Sequence, residues 1–145
     1  MKIEIRESDI STVVKLSRQI PEFTDPHGEE VYRERLNGKK ALILVAFEGQ
    51  NPVGFKVGYD KFADGSFYSW MGGVLPAYRK NHIATLLATA QERWARENGY
   101  TSIVFKTRNR HKAMLIFALS NGFSIIDVEP RASLEEYRIL LTKSL

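Results

Sequence analysis

The chain has 145 residues, no cysteine and a formal net charge of +4. That length suits one domain, residues 1–145, burying roughly 70% of its unfolded surface, and the lack of cysteine excludes disulfides, thiolate metal ligands and a cysteine nucleophile. The charged, alternating start from Met1 to Arg6 reads as neither a signal peptide nor a membrane span, and the longest apolar run, Ala41 to Phe47, is too short to cross a bilayer, so a cytoplasmic protein is expected.

Lys2 to Arg6 reads as a first strand with Ile3 and Ile5 on one face. Ser8 or Asp9 can cap a helix that turns Ile10, Val13, Val14 and Ile20 inward and ends at Pro21. Asp25-Pro26 offers a cap followed by proline at the first helical position, opening a short helix with Val31, Tyr32 and Leu36 that Asn37-Gly38 closes. A meander follows. Ala41 to Phe47 is apolar enough to be covered on both faces. After the turn Glu48 to Pro52, Val53, Phe55, Val57 and Tyr59 alternate with Gly54, Lys56, Gly58 and Asp60 as a half-buried strand. Asp64-Gly65 marks a turn into a third strand, Phe67 to Val74, whose Gly72-Gly73 suggests a bulge or a close approach to the backbone.

The stretch from Val74 to Gly99 then organises the rest. It reads as a strand end, a cation-rich turn and a long amphipathic helix with Ile83, Leu86, Leu87, Ala90 and Trp94 on one face and Gly99 as its left-handed cap. A helix start after a tight turn offers free N–H groups and a positive dipole end, and Arg79 and Lys80 stand beside it, which points to a bound phosphate. Ser102 to Lys106 is a short strand. Arg110 to Asn121, closed by Gly122, reads as a buried helix, and Phe123 to Val128 and Tyr137 to Thr142 finish as strands joined by a loop with Pro130. The order β-α-α-β-β-β-α-β-α-β-β is a mixed α/β layer architecture. Arg108, Arg110 and Lys112 crowd the start of the last helix, against its dipole. A bound polyanion near both helix starts turns that cost into a gain; pairing with carboxylates elsewhere is the alternative.

The run from Val74 through Arg79 to Ala84, with the lead-in Val-x-Pro-x-Tyr, resembles the acyl-CoA-binding motif of the GNAT (GCN5-related) N-acetyltransferase superfamily, and a last helix running into Asn121-Gly122-Phe123 is similar to the family's closing motif. The resemblance covers nearly the whole chain. It implies a twisted, mostly antiparallel mixed sheet of about seven strands with about four helices, and acetyl-CoA or another short acyl-CoA as co-substrate without a metal. It also implies that Gly72, Gly73 and Val74 lie on a splayed strand edge against the pantetheine arm. Lys80, Asn81, His82, Ile83, Ala84 and Thr85 would give N–H donors to the pyrophosphate, with Arg79 beside them. His82 stands where the family has glycine and Lys80 where glycine is frequent; a histidine there keeps its donor role if its φ stays negative.

The resemblance leaves catalysis unassigned. The position of the family's tyrosine general acid falls on Ala118, next to Phe117, and that of a cofactor-contacting asparagine on His111, with Asn109 two residues upstream. A lysine-type amine, pKa about 10.4, is neutral in about one molecule in a few thousand at pH 7, so something must take its proton. The two strands where relatives place a glutamate carry none here. Tyr68, Ser69, Glu29 and Glu30 are the nearest substitutes, and a structural or solvated role is the alternative for each.

Three functions are therefore weighed. The first is an N-acetyltransferase in which a small-molecule or peptide amine attacks directly in a ternary complex. The second is an acyl-CoA-binding sensor without turnover, suggested by the missing tyrosine and glutamate. The third, a basic nucleic-acid-binding domain using Arg108 to Lys112, is disfavoured because no aromatic residue interleaves with the cluster. A membrane partner is not expected, and a homodimer is left open. Phe23, Tyr32 and Phe62 are candidates to line an acceptor pocket, though core packing is the alternative for each.

Overall fold

A computed structural model describes all 145 residues. Seven strands and four helices follow in the expected order: β1 (Ile3–Glu7), α1 (Ile10–Ser17), α2 (Glu29–Leu36), β2 (Ala41–Glu48), β3 (Asn51–Tyr59), β4 (Ser66–Val74), α3 (Ile83–Glu97), β5 (Ser102–Arg108), α4 (Lys112–Ser120), β6 (Ser124–Glu129) and β7 (Arg138–Ser144). One sheet holds all the strands in the order β1-β2-β3-β4-β5-β7-β6. Every pairing is antiparallel except that of β4 with β5.

The sheet has a core on each face. On one, α3 sets Ile83, Leu87 and Ala95 against Leu42, Leu44, Ala46, Val53, Phe67 and Ile103. On the other, α1 and Tyr32 of α2 cover Val45, Phe55 and Val57. A smaller cluster of Ala118, Ile139 and Leu141 joins α4 to β7. Alternation along β2 explains why its run is apolar throughout: both faces are buried.

A bulge corrects the simple alternation expected of β3, and β4 carries a bulge of its own. Ala46 faces Gly54 but Phe47 faces Pro52, so Val53 is the extra residue and turns to the α3 side, away from Phe55 and Val57. In β4 the bulge is at Trp70, because Val57 faces Met71 while Gly58 faces Ser69. The glycines of β4 are not the bulge. Gly73 lets α1's end approach, since a Cβ there would lie 2.7 Å from Ile20 Cδ1.

Helix boundaries follow local chemistry. Asp9 caps α1, its carboxylate accepting from Thr12 N at 2.8 Å. The helix ends at Ser17, and Ile20 stays buried through a following turn in which Gln19 N donates to Leu16 O. α2 does not open at Asp25-Pro26 as expected. Its N-cap is Gly28, and the His27 ring just before it stacks on Trp70 at 5.8 Å. The buried stripe of α3 is Ile83, Leu87, Gln91 and Ala95, whereas Leu86 is 42% exposed. α4 is a helix, as its composition suggests, but only Ala118 is buried, and Met114, Ile116 and Leu119 face outward.

Candidate functional site

The parallel pairing of β4 with β5 is short. It joins Ser66–Tyr68 to Ser102–Val104, and beyond Tyr68 the strands part, while β4 stays paired with β3 as far as Val74. The free edge of β4 from Ser69 to Val74, including Gly72, Gly73 and Val74, therefore borders an opening that a chain-like ligand can enter as an added strand does.

At the end of that edge, a 3-10 turn at Pro76–Tyr78 leads into the start of α3. Lys80 has φ +65° and His82 φ +60°. The condition of a negative φ at His82 is thus not met, though its N–H is still unpartnered, and both residues hold the left-handed conformation that costs a non-glycine roughly 1–2 kcal/mol. Asn81 pins the turn by donating from Nδ2 to Tyr78 O (3.0 Å) and Arg79 O (3.1 Å). No backbone N–H of residues 80 to 85 donates in any turn, loop or cap; the first is Leu86 N, to His82 O at 3.0 Å. Lys80, Asn81, His82, Ile83, Ala84 and Thr85 thus leave six donors free at a helix start, a ready anion site.

The cations around it are less free than their sequence suggests. Arg79 forms a fork with Glu22 (3.0 and 2.7 Å) and donates from Nε to Val74 O at 3.2 Å. The hydrogen bond from Arg79 holds the Glu22 carboxyl below the usual carboxylate range. Across the opening, Arg108 and Arg110 both bind Glu136 (2.9 Å each), and Lys112 reaches Glu135 at 3.5 Å. Charge balance within the chain is what the crowded start of α4 uses. Asn109 donates from Nδ2 to Leu134 O at 2.9 Å, and His111 occupies the N-cap of α4. Burial, with Arg110 and Arg108 nearby, lowers the His111 pKa, while Glu136 and Glu22 oppose that shift. His111 thus lies near Glu22, which brings the α1–α2 segment, the start of α3 and the start of α4 together around the opening.

Deeper in, a narrow cavity of about 80 Å³ lies between β4, β5, α3 and α4. Ala118 and Phe117 form part of its wall, with Ser69, Met71, Phe105 and Gln91. Gln91 is buried and its Nε2 has no hydrogen-bond partner. Lys56 also lines it, and burial pushes its pKa down to about 8, with Glu92 opposing the shift. Glu92 is itself engaged by Lys143 at 2.8 Å. Sequence reasoning passed over both Lys56 and Gln91. Lys56 was one of the polar residues of a half-buried strand, and Gln91 sits one turn beyond Leu87 on the α3 stripe; only that i, i+4 spacing hinted at it.

On the opposite face, Tyr32 is fully buried against Trp70 (4.9 Å between centroids) with its hydroxyl unpartnered, and burial raises its pKa to about 12. Phe23 packs on Phe55, and Phe62 meets Tyr68 edge-on. Glu29 is tied to Arg33 at 2.7 Å. No group of three or more His, Asp or Glu is placed to hold a metal, and no helix is long and apolar enough to cross a membrane.

The chain belongs to the acetyltransferase (GNAT) family, whose model matches residues 13–123. Solved structures share the fold over nearly the whole chain. The ribosomal-protein-S18-alanine N-acetyltransferase of Escherichia coli aligns with a TM-score of 0.83 at 13% identity, covering 99% of this chain and 94% of that one. PaiA N-acetyltransferase of Thermoplasma acidophilum, in complex with coenzyme A, gives 0.77 at 18% over the full length of both chains. Ard1 of Thermoplasma volcanium gives 0.82 at 18%, covering 100% and 99%. No curated protein matches the chain.

Proposed function

We propose that residues 1–145 act as one acyltransferase domain that moves an acetyl group from acetyl-CoA to a primary amine by direct attack in a ternary complex. The observation that carries this reading is the parting of β4 from β5 after Tyr68, with six unpartnered N–H groups from residues 80 to 85 at its rim. Family membership and a coenzyme A complex among the fold's relatives support it.

The residues present fit such a co-substrate. The free edge of β4 at Gly72, Gly73 and Val74 suits the amide-bearing pantetheine arm, and the donors of residues 80 to 85, with Arg79 alongside, suit the pyrophosphate. Asn109 and His111 border the far side. Gln91 lines the cavity, but its orphan Nε2 is buried against the sheet at Gly58. Acetyl-CoA, when bound, supplies an activated acyl thioester. N–H groups on the open β4 edge then hold the carbonyl oxygen as negative charge grows on it. With Ala118 in place of a tyrosine, Lys56 Nζ is the proton donor within the cavity. Its pKa of about 8 is close to the value near 8.5 of a thiol, so its proton passes to the departing thiolate with little energetic mismatch, while the amine nitrogen gives its own proton to water and Lys56 regains one from solvent.

The absence of a tyrosine at Ala118 also favours the second reading, a sensor that binds acyl-CoA without turnover. Calorimetry with acetyl-CoA at low salt, together with thiol release measured over a panel of amines, separates the two. Micromolar binding with amine-dependent thiol release is expected. Binding with no release from any amine would leave the sensor, and no binding would remove both.

A further inference from the structure

On the α2 face of the sheet, at the closed end of the β4–β5 opening, lies a group of cations with no carboxylate partner. Lys61 Nζ sits 4.6 Å above the Tyr68 ring and 5.6 Å from that of Phe62, and the Arg35 guanidinium lies 4.8 Å above Trp70. Both line a pocket of about 330 Å³ with Val31, Glu34, Lys39 and Tyr59. Lys106 and Arg138 complete the group from β5 and β7. Their neighbours Phe105 and Ile139 pack on the α4 side, so alternation turns Lys106 and Arg138 to this face, and the register makes them diagonal neighbours across the β5–β7 pair. All four make no ion pair, although nine ion pairs form elsewhere on the chain. Burial lowers the Lys61 pKa, and Lys106, Arg35 and Arg138 lower it further.

Like charges gathered without a counter-ion are unfavourable unless something anionic joins them. Two of these cations are also held in place by aromatic faces, which fixes their position and leaves their N–H groups free for a ligand. Glu34, the one carboxylate at the pocket, is exposed and bonded to none of them. Tyr68, under Lys61, is the last β4 residue paired with β5, so the group stands where the opening begins.

We infer that this cluster is the acceptor subsite for a negatively charged group, and that the substrate is a small amine carrying a carboxylate or phosphate at its far end, with its amino group directed past Tyr68 into the opening. This rests on the acetyltransferase reading and narrows it. Polyamines and aminoglycosides, which carry only positive charge, are repelled by the same four groups.

The test compares short amines that differ at the far end, equal in length but for one extra atom in the phosphonate: β-alanine, aminopropylphosphonate, aminopropanol and diaminopropane. In thiol release from acetyl-CoA, kcat/KM for the two anionic amines is expected to exceed that for diaminopropane by roughly tenfold or more, the size of effect that local charge produces, with the advantage shrinking as salt is added. In Lys61→Gln/Arg138→Gln the ratio of β-alanine to aminopropanol is expected to fall towards one, through KM rather than kcat. Equal rates across the panel, or a preference for diaminopropane, would overturn the inference. A second readout needs no turnover. Trp70 lies beneath Arg35, whereas Trp94 packs on the other face against Phe67, so saturable quenching by aminopropylphosphonate reports the subsite directly. Quenching that weakens in the double variant supports the assignment, and no saturable quenching refutes it. Anion binding without acetyl-CoA binding would overturn the acetyltransferase reading and the acceptor role with it. Acetyl-CoA binding with no anion preference would overturn the subsite alone.

Discussion

Lys56 is where one residue's environment makes the sharpest statement about chemistry. An ammonium in that cavity costs desolvation, which is why its pKa drops from 10.5 to about 8. The sign of the linked stability follows. The folded protein releases this proton more readily than the unfolded chain, so stability rises as pH climbs from about 8 towards 10.5 and is lowest below 8. At about 1.4 kcal/mol per pH unit, the burial costs on the order of 3 kcal/mol at pH 7. Lys56→Met is therefore expected to raise the urea midpoint at pH 7 while losing that rise in stability above pH 8. In activity the same variant is expected to lose about 10-fold or more in kcat, and the fall of rate above pH 8 should disappear, because a donor that must be protonated is gone. A variant that is more stable yet equally active, with an unchanged pH profile, would confine Lys56 to a structural role.

At the scale of elements, the turn before α3 separates what a sequence reveals from what it hides. The strand, the turn and the helix were all legible, because apolar spacing and Gly99 mark them. The backbone conformation of the turn was not, since lysine and histidine carry no signal for positive φ, and His82, for which only a condition on φ could be stated, has +60°. The strain is local, and it is removable. Lys80→Gly and His82→Gly are each expected to add about 1 kcal/mol of stability, read as a melting point higher by about 2–4 °C, whereas alanine at either position gives no such gain. Other misreadings share one cause, which is packing that overrides local preference. Asp25-Pro26 is a good helix opening, yet His27 packs its ring on Trp70 and the helix opens only after Gly28. Strand alternation failed at Val53 because a bulge adds a residue without any marker in composition, and the bulge that the glycines of β4 suggested lies at Trp70 instead. The acceptor face was the least legible, since Arg35, Lys61, Lys106 and Arg138 come from four separate segments and only the sheet brings them together.

For the whole molecule, the decisive question is how an anion is held by a chain whose most conspicuous cations, Lys80 apart, are already engaged in ion pairs. Arg79 is paired with Glu22, Arg108 and Arg110 with Glu136, and Lys112 with Glu135. A phosphate arriving at the rim has to displace a carboxylate to gain any of these side chains, whereas the backbone donors of residues 80 to 85 are free at once. Neutral donors at a helix start are short-range and lie inside the Debye length at ordinary ionic strength. Coenzyme A binding is therefore expected to depend weakly on salt, its Kd rising by less than about fivefold between roughly 0.05 and 0.5 M NaCl, unlike the steep dependence of a ligand held by unpaired lysines and arginines. The ligand also joins β4, the start of α3 and the start of α4, and stabilises the folded chain only. At a hundredfold excess over Kd this amounts to about 2.7 kcal/mol, or a rise of about 5–10 °C in melting temperature for a chain of this size. Calorimetry across a salt series, paired with thermal unfolding, checks both statements. A Kd that rises by orders of magnitude with salt would show that the ion pairs open and that the side chains, not the backbone, carry the phosphate. Glu22→Gln sharpens the distinction: by releasing Arg79 it is expected to tighten coenzyme A binding a few-fold and to steepen the salt dependence at the same time.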